Sequence, residues 1–456
     1  MKKTVVINVV GLTPALIGTH TPFIDMWIKS GHLQTVAPIL PAVTCSAQST
    51  YLTGKMPQDH GIVANGWYFR DECEVKLWRQ SNRLVQAPKI WEAAKEADPT
   101  FTCANMFWWY NMYSSVDFSV TPRPQYRADG LKLPDVYSAP AALRDELQRA
   151  LGMFPLFKFW GPATSIESSQ WIADASIYVD RHHNPTLTLI YLPHLDYNLQ
   201  RIGVEGPRIE QDLREIDGVV RQLVEYYEGE GASVILLSEY GITPVNDPIH
   251  LNRLFRQKGW IATREEGGKE LLDAGASKVF AVADHQIAHV YVQDESLLEE
   301  ARKLLSETQG VELVLDRDQQ QEYAIAHDRS GELVAVADGD SWFTYYYWLD
   351  DERAPDFART VDIHRKPGYD PVEMFLDPEL GVPELKVAAR VLQKKLGFRY
   401  TMDVIPLDAT LVKGSHGRLT EDPAHHPVFI SKHPDSAESL TATDVYGKIW
   451  AHLTDK

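Results

Sequence analysis

Short, almost continuous apolar runs recur along the first 240 residues, and they constrain the fold more than any other feature. They alternate with segments whose apolar residues have helical spacing, at 13–27, 168–183 and 208–227. Continuous apolar runs are typical of parallel strands covered on both faces. The runs are KTVVINVV, LQTVAPIL, TLTLIYLP and SVILLSEYG. This alternation predicts an α/β fold with a mostly parallel central sheet, helices on both faces, and the chemistry at the carboxyl ends of the strands.

The pattern changes after residue 247. Short strand-like segments follow, such as KVFAVADHQIAHVYVQD and SWFTYYYWLDD, with turns rich in Asp, Gly and Pro. We therefore predict the first part of the core at 1–247, an inserted α+β cap at 248–396, and a return to the core at 397–456. Two aromatic stretches, 107–113 and 342–348, are better explained as buried core than as pocket walls.

Charge and cysteine content exclude several classes of function. The 63 acidic residues outnumber the 45 basic ones, and a net charge of −18 argues against a nucleic-acid polymer as partner. The N-terminal apolar run is too short for a signal peptide and no long apolar run follows, so we expect no membrane partner and a cytoplasmic location. Three cysteines cannot make a disulfide framework, which agrees with a reducing compartment. A small anionic substrate stays compatible with these properties, because a metal or a helix N-terminus neutralises it locally.

The segment 41–65, PAVTCSAQSTYLTGKMPQDHGIVAN, carries the strongest indication of chemistry. Thr44 is predicted to lie on the first turn of a helix, where unpaired backbone N–H groups favour an incoming anion. A hydroxyl at this place could attack phosphorus once it is activated, for example by a metal. Taken alone, however, Thr44 is better explained as a helix cap.

The segment resembles the alkaline phosphatase superfamily, and within it the nucleotide pyrophosphatase/phosphodiesterase branch. Nine fixed positions match the family pattern: Pro41, Thr44, Thr53, Gly54, Pro57, His60, Gly61, Ile62 and Asn65. The resemblance implies an alkaline phosphatase-like core, a small phosphorylated substrate, and a divalent metal, which is zinc in the family. It also implies that Thr44 forms a covalent phosphoenzyme intermediate and that Asn65 donates a hydrogen bond to a nonbridging oxygen. His60 is expected to be a structural turn residue.

Later segments extend the resemblance and imply a metal site. In YLPHLDYNLQ, Asp196 matches a family ligand, but Gln200 stands where the family has a histidine. In VILLSEYG, Glu239 and Tyr240 replace the family's aspartate and histidine. In KGSHGR, His416 keeps its role as a ligand.

The first strand also departs from the family. Val10 stands where the family has a metal-binding aspartate, and Asn8, on the same strand face, could supply an oxygen instead. Neutral oxygen ligands suit magnesium or manganese better than zinc, so these ions are plausible cofactors here. Either the site is rebuilt around one metal, or it has become a binding site without catalysis.

The predicted cap contains candidate replacements for the altered ligands. DIHRKPGYDP carries Asp362 and His364 beside a Pro-Gly turn, and we expect His364 to lie close to Thr44 or to the metal if the cap contributes. ADHQIAHVYV carries Asp284 and His285, a carboxylate and an imidazole that could bind a metal or act as acid and base. His289 in the same segment is more simply a structural histidine.

These observations predict a metal-dependent phosphohydrolase of phosphodiesterase or phosphomonoesterase type, with Thr44 as nucleophile. Two alternatives stay open: a phosphonate hydrolase of the same fold, and a noncatalytic protein that binds phosphoesters or nucleotides. Cys45 follows the nucleophile where nucleotide-cleaving relatives commonly have an aromatic residue, which argues against a nucleotide substrate.

Overall fold

A nine-stranded sheet forms the centre of the protein. The computed structural model describes residues 1–128, 131–381, 383–396, 398, 400–433 and 437–455. In spatial order the strands are Ser439–Thr441, His32–Ala37, Val428–Ser431, Ser233–Leu237, Thr4–Val9, Leu187–Leu192, Cys103–Met106, Phe118–Pro122 and Val136–Ala139. Only Val428–Ser431 and Val136–Ala139 run antiparallel to their neighbours. The predicted mostly parallel α/β sheet is confirmed.

Complete burial of the central strands shows that both faces of the sheet are covered. Every residue of Thr4–Val9 and of Leu187–Leu192 is buried, although successive side chains of a strand point to opposite faces. The longer helices of this region are Thr44–Thr53, Ile90–Ala97, Ala142–Leu151, Glu167–His183, His194–Ile202, Pro207–Gly229 and Asp444–Thr454. The helices predicted at 168–183 and 208–227 are therefore confirmed.

The first predicted helix is only partly correct. In place of one helix through Trp27, the chain forms a short 3-10 turn, Pro14–Leu16, and a separate helix, Pro22–Ile28. Gly18, with a φ of 151°, lies between them in a conformation that a continuous helix does not allow.

A second apolar core lies around a four-stranded antiparallel sheet. Its strands, in spatial order, are Val279–Asp284, Ile287–Val292, Leu333–Ala337 and Val311–Leu315. Tyr68 and Val412, far apart in sequence, also belong to this core. Residues before 248 and after 396 thus pack with the predicted cap, and the division of the chain at these two positions stays a prediction.

Smaller elements complete the fold. Five two-stranded pairs are formed by Gly66–Phe69 with Glu74–Leu77, Gln125–Tyr126 with Lys132–Leu133, Thr243–Pro244 with Gly414–Ser415, Asp247–Ile249 with Ser341–Phe343, and Ala262–Glu266 with Lys269–Asp273. The remaining α-helices are Pro57–His60, Leu156–Phe159, Leu251–Gln257, Leu298–Ser306, Arg317–Glu322 and Pro383–Lys395. In the described part of the chain, every helix is too short or too polar to span a membrane.

The aromatic stretches behave as predicted. Trp108 and Trp348 are completely buried, as are most of their aromatic neighbours in the two segments. Tyr113, at the end of the first stretch, is the exception and is exposed. These rings stabilise the two cores.

Candidate active site

Three neighbouring strands bring the predicted site residues to one edge of the sheet. Asn8 lies in register with Tyr191 and with Leu237 on the two flanking strands. Since these strands are parallel, the residues that follow their carboxyl ends meet at the same edge. Asp196 and Glu239 are two of those residues.

Thr44 is the first residue of helix Thr44–Thr53, and its hydroxyl does not cap that helix. The cap position belongs to Val43, with no side-chain hydrogen bond to the helix. The buried Thr44 Oγ1 lies 3.2 Å from the hydroxyl of Tyr240. The hydroxyl therefore faces the carboxyl ends of the strands.

Asp196 is held by neutral donors at the start of helix His194–Ile202. Tyr240 donates its hydroxyl to Asp196 Oδ1 at 3.0 Å, and Gln200 donates to Oδ2 at 2.8 Å. Burial raises the pKa of Asp196 to about 7, and the two donors only partly offset it. The carboxyl thus takes up or releases a proton near neutral pH.

Glu239 is held in the same way by two amides. Asn8 and Gln48 each donate to Glu239 Oε1, both at 2.5 Å. Burial raises the pKa of Glu239 to about 8, although these donors and the Thr44 hydroxyl lower it. Glu239 Oε2 is buried without a hydrogen-bond partner, as is Asn8 Oδ1.

His416 presents an unpaired ring nitrogen to Asp196. Its Nδ1 donates to the carbonyl of Ala42 at 2.7 Å, so Nε2 carries the lone pair. Nε2 is buried without a hydrogen-bond partner and lies 3.9 Å from Asp196 Oδ1. Burial and the nearby His285 lower the pKa of His416 well below its usual range, so the ring is neutral.

Four aromatic rings form a column beside these groups. Tyr240 stacks on His416 at 3.6 Å, His416 contacts His285 at 3.7 Å, and His285 stacks on Tyr369 at 3.6 Å between ring centroids. The hydroxyl of Tyr369 donates to Gln200 Oε1 at 2.9 Å. Both polar atoms of the Gln200 amide are therefore occupied.

The second sheet contributes a carboxylate and an imidazole to this site. Asp284 accepts hydrogen bonds from the backbone N–H of Asn65 at 2.7 Å and from its Nδ2 at 3.1 Å. Nδ1 of His285 donates to Asp284 Oδ1 at 2.7 Å. Asn65 Oδ1 in turn accepts from the backbone N–H of Cys45 at 3.0 Å. Asn65 thus joins the Thr44 helix to the turn that carries Asp284 and His285.

The other cap segment carries Asp362 and His364. His364 is hydrogen-bonded to the backbone of Leu77, and burial lowers its pKa to about 4, helped by Lys132, Arg79 and Arg123. Asp362 bonds through its backbone N–H to Glu373. A contribution of Asp362 and His364 to catalysis stays a prediction, with no contact to Thr44 among the described interactions. Asp284 and His285, by contrast, contact Asn65 and His416.

Two further site residues escaped the sequence analysis. Gln48 lies four residues after Thr44 and so on the same helix face, which is a signal that could have indicated it. Tyr369 carried no such signal, because its contact with His285 depends on the packing of two distant segments.

The unpaired polar atoms of the site indicate whether it can bind a metal ion. His416 Nε2 and Asp196 Oδ1 are 3.9 Å apart, a separation that one cation with bonds of about 2.1 Å can bridge. Glu239 Oε2 and Asn8 Oδ1 are two more buried acceptors without partners. By contrast, both polar atoms of the Gln200 amide already have hydrogen-bond partners, and the Val10 side chain has no ligand atom. Asp196 and His416 thus offer two ligand atoms for one divalent cation, and Glu239 does not complete with them a group of three ligand atoms within 4.8 Å of one another.

Fold and site together define an α/β protein of the alkaline phosphatase superfamily, with a threonine at a helix N-terminus facing buried carboxyl groups. The chain belongs to the family of type I phosphodiesterases and nucleotide pyrophosphatases, whose model matches residues 4–370. Members of this family generally depend on divalent metals.

Similar proteins agree with this assignment. An uncharacterized pyrophosphatase/phosphodiesterase of Schizosaccharomyces pombe is 23% identical over 244 residues, which cover 52% of this chain and only 42% of the yeast protein. Murine ectonucleotide pyrophosphatase / phosphodiesterase 5 aligns with a TM-score of 0.60 and 15% identity over 99% of this chain and 95% of that one. Phosphonoacetate hydrolase from Sinorhizobium meliloti 1021, in complex with phosphonoacetate, aligns with a TM-score of 0.62 and 14% identity over 99% and 96%. At these identities the two solved structures show the shared fold alone.

Proposed function

We propose that this protein is a divalent-cation-dependent phosphoester hydrolase in which Thr44 is the nucleophile. The observation that carries the proposal is the position of the Thr44 hydroxyl. It caps no helix, and instead lies 3.2 Å from the Tyr240 hydroxyl beside Glu239 and Asp196. A hydroxyl at a helix N-terminus among proton-accepting groups suits attack on phosphorus.

The proton of the nucleophile needs an acceptor, and Glu239 is the best placed. Its ionised carboxylate is a stronger base than an ordinary glutamate, because burial raises its pKa to about 8. As Thr44 Oγ1 bonds to phosphorus, its proton passes to Glu239, and the ester oxygen departs with the electron pair of the broken bond and takes a proton from a water molecule. The hydroxide left from that water then attacks the phosphorus of the phosphothreonine, the bond from phosphorus to Thr44 Oγ1 breaks, and Glu239 returns the proton to Thr44 Oγ1.

Asp196 and His416 would hold the cation, with Glu239 close by. When bound there, a divalent ion would supply positive charge that stabilises the phosphoryl oxygens. Tyr240 orients Asp196 and Thr44 at once, since its hydroxyl lies within 3.0 Å of Asp196 and 3.2 Å of Thr44.

Asn65 would bind a nonbridging oxygen of the substrate. Its backbone N–H and its Nδ2 group both donate hydrogen bonds to the Asp284 carboxylate, so these two donors already bind one anionic group. A phosphoryl oxygen would replace Asp284 there, with hydrogen bonds to a charged group worth about 1.5–3 kcal/mol each.

The substrate class is inferred from the surroundings of Thr44. Cys45 is completely buried in a cluster with Trp67, Trp109 and Tyr110, so no exposed aromatic ring follows the nucleophile. This arrangement favours a phosphoester or phosphonate without a nucleobase. These two substrate types are the ones to compare, because the names of the two proteins of similar fold, murine ectonucleotide pyrophosphatase / phosphodiesterase 5 and phosphonoacetate hydrolase, refer to a phosphodiester and to a phosphonate.

A noncatalytic phosphoester-binding protein is a second candidate. It is favoured by Gln200 and Tyr240, which place an amide and a phenol at two positions where the family has histidines. Such groups are poor zinc ligands.

A substrate panel separates these functions. Wild-type protein and Thr44→Ala would be assayed with Mg²⁺, Mn²⁺ or Zn²⁺ on p-nitrophenyl phosphate, bis(p-nitrophenyl) phosphate, phosphonoacetate and AMP. Cation-dependent turnover that Thr44→Ala abolishes supports the proposal. Phosphoester binding without turnover under every ion supports the binding protein instead.

A further inference from the structure

A second group of metal-ligand atoms lies between helices His194–Ile202 and Pro207–Gly229, away from Asp196. His194 precedes Asp196 by two residues and therefore points about 200° around the helix from it. His194 Nε2 lies 3.4 Å from Asp212 Oδ1 and 3.2 Å from Glu215 Oε2, on helix Pro207–Gly229. The three ligand atoms all lie within 4.8 Å of one another.

Hydrogen bonding does not satisfy the imidazole. The His194 side chain is 1% exposed, and both of its ring nitrogens lack a hydrogen-bond partner. A buried polar group without a partner costs about 1–3 kcal/mol. Nε2 faces the carboxylates of Asp212 and Glu215. The cluster therefore has an unpaired buried ligand aimed at its centre.

The distances fit a shared cation. Imidazole nitrogen and carboxylate oxygen bind transition metals at about 2.0–2.2 Å, which places neighbouring ligand atoms roughly 3.0–3.5 Å apart. The separations of 3.4 and 3.2 Å around His194 Nε2 fall in this range. We propose that His194, Asp212 and Glu215 bind one divalent transition-metal ion.

The ligand set indicates which ions would bind. One imidazole with two carboxylates suits Zn²⁺, Co²⁺ or Mn²⁺, whereas Mg²⁺ and Ca²⁺ prefer oxygen ligands alone. Glu215 is 26% exposed, which gives an ion a path from solvent and allows water to complete its coordination.

Two neighbouring side chains affect cation binding in opposite ways. Asn198 donates to Asp212 Oδ2 at 2.5 Å and fixes that carboxylate. Arg208 Nη2 lies 2.8 Å from Asp212 Oδ1, so its positive charge competes with a cation for the same oxygen. A bound ion would join the two helices across the short connection that contains Gly203 and Gly206, and so fix the helix that carries Asp196.

The site is independent of the proposed function, and the test keeps the two apart. Binding would be measured in chelator-treated protein carrying Asp196→Asn and His416→Asn, which removes the cation of the candidate active site. Co²⁺ and Zn²⁺ would be titrated, with visible absorption of Co²⁺ and metal content by mass spectrometry as readouts. We expect one ion per chain in this background.

Variants assign that ion to the cluster. His194→Gln and Glu215→Gln should each weaken Co²⁺ binding at least about 10-fold. Arg208→Gln should strengthen binding several-fold, an effect that a purely structural role of the cluster would not produce. The matched control is Glu210→Gln, because Glu210 lies on the same helix and pairs with the half-buried His20 at 3.8 Å.

Two results would overturn the proposal. One is that Glu215→Gln and the control Glu210→Gln change the Co²⁺ affinity by the same factor. The other is that the protein carrying Asp196→Asn and His416→Asn binds neither Co²⁺ nor Zn²⁺ although its circular dichroism spectrum matches that of the wild type. Since Glu215 lies at the surface, Glu215→Gln should fold even if the buried His194→Gln does not.

Discussion

The Thr44 hydroxyl and the Tyr240 hydroxyl share one contact of 3.2 Å, and this contact defines the chemistry at the scale of residues. Tyr240 also donates to Asp196, so the phenol links the proposed nucleophile to a buried carboxyl group. The resemblance to the family implies an imidazole at this position, and this chain has a phenol there that positions its neighbours through hydrogen bonds.

Thr44→Ala should abolish phosphoester hydrolysis without unfolding the protein. Removing a nucleophile costs several orders of magnitude in kcat, and we expect a loss of at least about 10³-fold. Thr44→Ser should keep part of the activity, because it retains a hydroxyl. The control is Thr53→Ala on the same helix, whose hydroxyl donates to the Ser49 carbonyl at 2.6 Å. Steady-state kinetics that show equal losses in the two alanine variants would refute a nucleophilic Thr44.

Raised pKa values at Asp196 and Glu239 make stability depend on pH. Burial raises the two pKa values to about 7 and about 8, from 3.8 and 4.5 in the unfolded chain. Between about pH 4 and 8 the folded protein binds more protons than the unfolded one, so its stability falls as pH rises. The expected loss in metal-free protein is on the order of 10 kcal/mol at most.

The measurement is Tm by calorimetry from pH 5 to pH 9, with a chelator present. Asp196→Asn with Glu239→Gln should flatten the fall of Tm between pH 5 and 8, since neither side chain can ionise. An unchanged slope in the double variant would show that other groups cause it.

The single residues were predictable to different degrees. Thr44 and Asn65 belong to a continuous motif, so one stretch of sequence was enough to indicate them. Asp284 and His285 were visible only as a carboxylate beside an imidazole, and the sequence analysis favoured Asp362 and His364 over them. The choice between them depends on long-range packing, which local sequence does not encode.

At the scale of elements, the turn between strands Val279–Asp284 and Ile287–Val292 is the piece that completes the site. His285 has a φ of 62°, a conformation that Asn and Gly adopt more readily than other residues. The turn presents Asp284 to Asn65 and His285 to His416. Its backbone geometry therefore sets where these two side chains lie.

His285→Asn should lower kcat while preserving the turn. Asparagine tolerates the positive φ, so the change removes the imidazole without straining the backbone. We expect a loss of about 10-fold or more if His285 takes part in proton transfer or cation binding. The control is His250→Asn, which breaks a 2.7 Å bond to Thr344 within the same region. Similar kinetics for both variants would limit His285 to a packing role.

Helix His194–Ile202 offers a position at which an imidazole can be added beside Asp196. Gln200 lies four residues after Asp196, so a histidine there would face the same side. Gln200→His should tighten Zn²⁺ binding about 10-fold, because an imidazole is a better zinc ligand than an amide. Calorimetric titration would measure the change in protein carrying Glu215→Gln, with the surface change Gln58→His as control. An affinity equal to that of the control would mean that Gln200 does not face the cation.

At the scale of the whole molecule, the sequence predicted the core better than the cap. Strands such as Thr4–Val9 and Leu187–Leu192 are buried on both faces and therefore carry a continuous apolar signal. The second core instead combines Tyr68 with residues beyond 400, and such long-range packing leaves no local pattern. Which residues form the second core is therefore seen only in the folded chain.

The whole molecule also encloses its candidate site. Thr44, Glu239, His285 and His416 are each at most 3% exposed, and Asp284 of the second sheet is hydrogen-bonded to Asn65, which is itself bonded to the Thr44 helix. We therefore expect an opening, in which the second sheet moves away from the Thr44 helix, to precede substrate binding.

Cys45 offers a direct measure of that opening. It is completely buried beside Thr44, Cys103 is completely buried in a strand of the central sheet, and Cys73 is exposed. In a Cys73→Ser variant, a thiol reagent should label Cys45 faster than Cys103, because opening the site needs less free energy than unfolding the sheet. A saturating phosphoester should slow the labelling of Cys45 and leave Cys103 less affected. Equal labelling rates for both cysteines, with and without ligand, would mean that the site opens only by global unfolding.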